Sequence, residues 1–95
     1  MHAVMRQYSG SGTEELFEAL EQRETEVREL IGTVPGFVSY VAFRTGDGEG
    51  TTVTVCRDKA GTDESTRRAA AWVADNIDVS IDTPSVTEGD TAVQF

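Results

Sequence analysis

Residues 34–73, VPGFVSYVAFRTGDGEGTTVTVCRDKAGTDESTRRAAAWV, constrain the topology of this chain more than any other passage. The Pro35-Gly36 step leads into Phe37 to Arg44, an aromatic and β-branched run that alternates as a strand does. Gly46-Asp47-Gly48-Glu49-Gly50 is a turn, and Thr51 to Arg57 (TTVTVCR) is a second strand, so the two make an antiparallel hairpin. Ala60-Gly61 ends it. Thr62 then reads as the N-cap of a helix, with Asp63 and Glu64 in its first turn. Asp63 with Arg67, and Glu64 with Arg68, are spaced for ion pairs four residues apart.

The flanks complete the pattern. His2 to Tyr8 reads as a first strand, broken at Ser9-Gly10-Ser11-Gly12. Ser11 and Glu14 have the spacing of a capping box. Leu16, Leu20, Arg23, Val27, Leu30 and Ile31 recur at helical intervals as one stripe, which Gly32 and Pro35 stop. Ala69, Ala70, Val73 and Ile77 give the second helix a thinner stripe. After a connector over 78–85, Val86 to Phe95 reads as a last strand, interrupted at Glu88-Gly89-Asp90 by a bulge or turn. Strand, helix, strand, strand, helix, strand predicts one α+β domain over residues 1–95. Its architecture is ferredoxin-like, a four-stranded antiparallel sheet with two helices on one face.

Composition excludes several functions. The 95 residues carry a net charge of −9, which argues against nucleic acid and anionic membrane surfaces. No apolar run approaches the roughly 18 residues of a membrane span. MHAVMRQYSGSG lacks the apolar stretch of a secretion signal, and the single Cys56 fits a reducing compartment, so the expected location is the cytoplasm. Lys59 is the sole lysine beside seven arginines. An acidic, lysine-poor surface suits a high-salt cytoplasm, and a GC-rich genome explains it as well.

Strand alternation sorts the sheet into two faces. Val53 and Val55 oppose Thr52, Thr54 and Cys56, and Phe37, Val41 and Phe43 oppose Val38, Tyr40, Ala42 and Arg44. The first strand places His2, Val4, Arg6 and Tyr8 together. One face is thus apolar and the other semi-polar with aromatics, which suits a pocket or a dimer interface. Arg6, Tyr8, Tyr40 and Arg44 on that face are candidates to hold an aromatic or anionic small molecule, with arginine meeting an oxyanion. The competing use of the same four is a contact between subunits. His2 is the only ordinary base near neutrality, a candidate catalytic residue or a plain solvated one. Cys56 precedes a helix N-terminus that would favour a thiolate, against the reading of an inert buried thiol. Trp72 lines a pocket or packs a core. No His/Cys cluster has metal-ligand spacing.

Three passages carry a family resemblance that spans nearly the whole chain: VPGF at 34–37, VTVCRDKAGTDES at 53–65 and RRAAAWVADN at 67–76. They resemble the dimeric α+β barrel superfamily, and within it the small antibiotic-biosynthesis-monooxygenase-like proteins. The resemblance implies a homodimer whose sheets pack face to face, each subunit enclosing a small cavity, and a chemistry without cofactor. Two residues depart from the family's better-known patterns. The tryptophan expected near Cys56-Arg57-Asp58 is absent, and the second half holds no histidine to ligate haem iron. The expectation is a dimer that binds a small aromatic or anionic ligand. The alternative is a cofactor-independent monooxygenase acting on a small aromatic or quinol.

Overall fold

A computed structural model describes residues 1–95, and its element order is β1 (His2–Ser9), α1 (Thr13–Gln22), α2 (Glu24–Gly32), β2 (Phe37–Gly46), β3 (Glu49–Cys56), α3 (Lys59–Asn76) and β4 (Ser85–Asp90). The strands form one antiparallel sheet in the order β2-β3-β1-β4. This is the expected ferredoxin-like α+β fold, with three helices in place of two. No helix is long and apolar enough to cross a membrane.

The single helix expected through Ile31 is two. Arg23 departs from helical geometry (φ −115°, ψ 34°) between α1 and α2, and its side chain explains the break. The guanidinium stacks 5.1 Å over the Trp72 ring of α3 and donates to Asn76 at 2.8 Å and Glu26 at 2.9 Å. Trp72 and Asn76 of α3 thus hold Arg23 at the break, a tertiary contact that the uninterrupted apolar stripe does not reveal.

Both helix caps differ from expectation. Gly12, at φ 83°, is the N-cap of α1 and makes no side-chain cap. A Cβ there would sit 2.5 Å from the Ser80 carbonyl oxygen, so both conformation and space demand glycine. Glu14 accepts instead from the Gly48 backbone N–H at 2.8 Å, tying α1 to the β2–β3 turn. Asp58 rather than Thr62 caps α3, accepting from the Gly61 N–H at 3.0 Å. Thr62 is buried within the first turn and donates to the Lys59 carbonyl. Asp63 pairs with Lys59, while Glu64 takes both Arg67 and Arg68. The last strand runs unbroken through Glu88-Gly89-Asp90 and ends there.

The helices cover the semi-polar sheet face. His2, Val4, Arg6 and Tyr8 of β1 are buried beneath them, as are Thr52, Thr54 and Cys56 of β3. A register shift between Phe37 and Ser39 moves Phe37 out of the expected alternation with Val41 and Phe43 and into contact with the core. Tyr8, Leu16, Phe17, Val27, Ile31 and Trp72 form that core. Gly50 makes room for it: a Cβ there would lie 2.3 Å from the Phe17 ring, which meets Tyr8 edge-on at 6.2 Å. The apolar face therefore stays open. Cross-strand register lines up Ala3 with Val55, Met5 with Val53, and Val53 with Val41. Val41 is 51% exposed and Phe43 47%, an apolar strip a lone chain leaves in water.

Candidate functional site

A groove of about 620 Å³ opens between the outer edge of β2 and the α1–α2 pair. Its volume lies in the range of small-molecule sites. Phe17 and Leu20 of α1 and Val27 and Ile31 of α2 form one wall, and Phe37, Tyr40, Ala42 and Phe43 of β2 the other. Phe17, Val27 and Ile31 belong to the core as well, so the same side chains pack the core and line the groove. The rim is ionic. Arg44 pairs with Glu21, and Arg28 with Glu24 at 2.7 Å.

Tyr40 supplies the polar point inside. Burial pushes its phenol up to about 12, with Tyr8 adding to the rise and Arg6 opposing it. Tyr40 is thus a protonated hydroxyl at neutral pH, able to donate one hydrogen bond or accept one. Burial raises the Tyr8 phenol too, and the Arg6 charge counteracts it.

Arg6 is the unusual group. It is 2% exposed, and no carboxylate is among its partners. Hydroxyls surround it: Nη1 donates to Thr54 at 3.2 Å and Thr52 at 3.4 Å, Nη2 to Ser65 and Thr66 at 2.8 Å, and Nε to Thr66 at 3.2 Å. Every N–H is satisfied, yet the charge has no counter-ion, and desolvation lowers the group from its ordinary value. Buried charges are ordinarily paired. Here the alternation of Thr52 and Thr54 on β3 and the hydroxyl pair on α3 substitute for a carboxylate.

Cross-strand register places Arg6, Tyr8, Tyr40 and Arg44 on one sheet face, as the alternation predicts. The groove collects only two of them, Tyr40 and Arg44. Arg6 lies under α3, and Tyr8 is covered by Phe17. Cys56 is fully buried, and burial followed by Asp58 raises its thiol, so the carboxylate at the start of α3 works against the thiolate that a helix N-terminus favours. Trp72 packs in the core, its indole N–H donating to Glu26 at 2.8 Å, and Glu26 is lowered by Trp72 and then Arg23. His2 lies outside the groove between Glu88 and Asp90 of β4. Phe17, Leu20, Val27, Ile31 and Phe37 carry no site signal in the sequence. Leu20, Val27 and Ile31 read as part of an ordinary helical stripe, Phe17 lies beside that stripe, and nothing in their spacing marks them as groove walls.

No family model matches the chain, and no curated protein matches it in sequence. Solved structures match it in fold. A protein of unknown function from Nitrosomonas europaea superposes with a TM-score of 0.74 at 18% identity, covering 99% of this chain and 91% of that one. A monooxygenase of Streptomyces coelicolor, in complex with nanaomycin D, gives 0.70 at 15% identity over 99% and 89%. A dimeric ferredoxin-like protein from an uncultured marine organism gives 0.66 at 10% identity over 99% and 95%. At these identities the likeness establishes a shared ferredoxin-like fold, one that monooxygenases and proteins of unknown function both use.

Proposed function

We propose that the chain acts as a homodimer that binds a small aromatic or anionic molecule in the groove between β2 and α1–α2. The groove carries this reading, with apolar walls, one phenol inside and an arginine at the rim. Such a lining buries a planar ring by the hydrophobic effect and leaves Tyr40 to orient a ring hydroxyl or carbonyl. The Arg6 charge is felt at the Tyr40 phenol, where it opposes the rise, and the same positive field would favour an anionic form of a group bound there. The open apolar strip supports a second copy packed sheet against sheet, since Val41 and Phe43 are otherwise a costly exposure. The marine ferredoxin-like neighbour is dimeric.

Binding is favoured over catalysis because no group of ordinary near-neutral pKa lines the groove. His2 is absent from it, and Tyr40 is held protonated. The alternative is cofactor-independent monooxygenation of a small aromatic or quinol, and the Streptomyces coelicolor monooxygenase with its bound nanaomycin D supports it. In that reaction the protein would take a phenolic proton, and the anion itself would reduce oxygen.

Calorimetric titration with 1-naphthol and 1,4-naphthoquinone tests the site. Tyr40→Phe is expected to weaken binding by up to about tenfold, the worth of one neutral hydrogen bond. Leu20→Trp is expected to block the groove. Binding that ignores both substitutions overturns the assignment. Light scattering tests the dimer: Val41→Glu should yield monomers, and a wild-type monomer at micromolar concentration ends the paired-sheet reading. Oxygen uptake with 1,4-naphthohydroquinone, above the buffer's autoxidation rate and lost in Leu20→Trp, would favour the monooxygenase.

A further inference from the structure

His2 is the only histidine, and ligand binding in the groove gives it no role. It is 7% exposed at the start of β1, opposite Asp90 across the β1–β4 ladder and Cys56 across the β1–β3 ladder. Its Nε2 lies 2.9 Å from Glu88 Oε1 and its Nδ1 3.2 Å from Asp90 Oδ1. A neutral imidazole donates from one nitrogen only, so both contacts attract only when the ring carries two protons. With one proton, a ring lone pair faces a carboxylate.

The strand that these carboxylates belong to has little else to hold it. All six residues of β4 are exposed, and its sheet partner is β1. Edge strands of this kind stay attached by their ladder and by side-chain clasps rather than by apolar burial. We propose that His2, Glu88 and Asp90 form a proton-operated latch that clasps β4 to the sheet edge and loosens it when the ring loses its second proton.

The charges around the ring decide which end of the latch opens. From β4 it faces Glu88 and Asp90. From α3, Lys59 reaches Glu88 at 3.2 Å and Asp63 at 2.9 Å. From β3 it faces the Cys56 thiol, which burial and Asp58 keep protonated. Glu88, followed by Asp90, raises the His2 ring above its ordinary 6.5. His2, followed by Lys59, lowers Glu88. A raised base stabilises fully below its unfolded value of about 6.5 and loses that contribution as pH rises through its folded value. A lowered acid contributes above about 4.5 and loses it as pH falls through its own folded value. The latch is therefore closed between the two folded values. Lys59 helps to keep Glu88 ionised, so the imidazole is the end that opens toward alkaline pH. Release would leave β1 with a free backbone edge, available to another extended segment.

Because the chain has one histidine, its Cε1 proton is a single proton-NMR resonance whose midpoint reads the latch directly. Hydrogen exchange of residues 85–90, corrected for the intrinsic rate at each pH, reads the strand. The expected result is a ring midpoint above 6.5 and a loss of β4 protection with the same midpoint, while the β2–β3 hairpin stays constant. Each unit of elevation corresponds to about a tenfold increase in opening. Glu88→Gln should lower the ring midpoint, and His2→Gln should flatten the pH dependence of β4. Should His2→Gln not fold, the exposed Asp90→Asn still must lower the midpoint. Constant β4 protection across the ring titration, or a ring midpoint unmoved by both Glu88→Gln and Asp90→Asn, overturns the proposal.

Discussion

Gly50→Ala is the sharpest test of the packing that shapes the groove. A Cβ at Gly50 would meet three Phe17 ring carbons at 2.3, 2.5 and 2.7 Å. Ordinary carbon–carbon contact begins near 3.5 Å, so the ring must retreat by about 1 Å. Phe17 is 3% exposed and braced edge-on by Tyr8, and a planar ring has no flexible end to yield. Overpacking of this kind costs ~1–3 kcal/mol. Replacing glycine within a strand returns ~0.5–1 kcal/mol of backbone entropy. Three ring carbons under 3.0 Å place the overpacking near the upper end, ~2–3 kcal/mol, so the net loss is about 1–2.5 kcal/mol, or roughly 4–20 °C in melting temperature for a domain of this size. Phe17 also lines the groove, so the displaced ring should weaken naphthol binding as well. Urea unfolding of Gly50→Ala, Phe17→Leu and the double variant measures the coupling. In the leucine background the smaller side chain gives way, and the Gly50→Ala cost should fall by at least ~0.5 kcal/mol. A neutral or stabilising Gly50→Ala, or an equal cost in both backgrounds, refutes the reasoning.

Arg6→Met should be much milder than Arg6→Ala. Methionine keeps the buried stem and removes an uncompensated charge, whereas alanine adds a cavity worth ~2–5 kcal/mol, and equal chemical unfolding midpoints would contradict this. Cys56, fully buried beneath α3, should react with a thiol reagent only at the unfolding rate, and fast labelling of the native protein would place it elsewhere. Tyrosine absorbance should show Tyr40 ionising near 12 while the unfolded chain ionises near 10. A phenol raised in the folded state makes stability fall as pH rises across that interval, and denaturant midpoints at successive pH values check the sign.

Much of the fold was legible because local signals agreed. Strand alternation, the turn at 46–50 and two helical stripes specify the element order without long-range information. The helix boundaries were less legible. Arg23 breaks a stripe that is periodic throughout, because Trp72, 49 positions away, offers its ring face and Asn76 an acceptor. Asp58 outcompetes Thr62 as a cap since Thr62 turns into the buried layer. The candidate site was legible only in part. Tyr40 and Arg44 stand out as the phenol and the charge on a largely apolar strand, while the walls of the groove look like any core residues.

Sequence by itself determined the α+β order, the acidic surface and the division of the sheet into an apolar and a semi-polar face. Those follow from periodicity and charge, which each residue carries into any environment. Tertiary structure alone decided which face the helices cover. Hydrophobic patterning favours burying the apolar face, yet the hydroxyls of Thr52, Thr54, Ser65 and Thr66 satisfy Arg6 and make the semi-polar face the buried one. Those hydroxyls come from two elements, so no local reading assembles them. The same choice leaves Val41 and Phe43 in the open and sets His2 of β1 against the carboxylates of the edge strand β4, because hydrogen-bond satisfaction belongs to the assembled layers and not to any one segment.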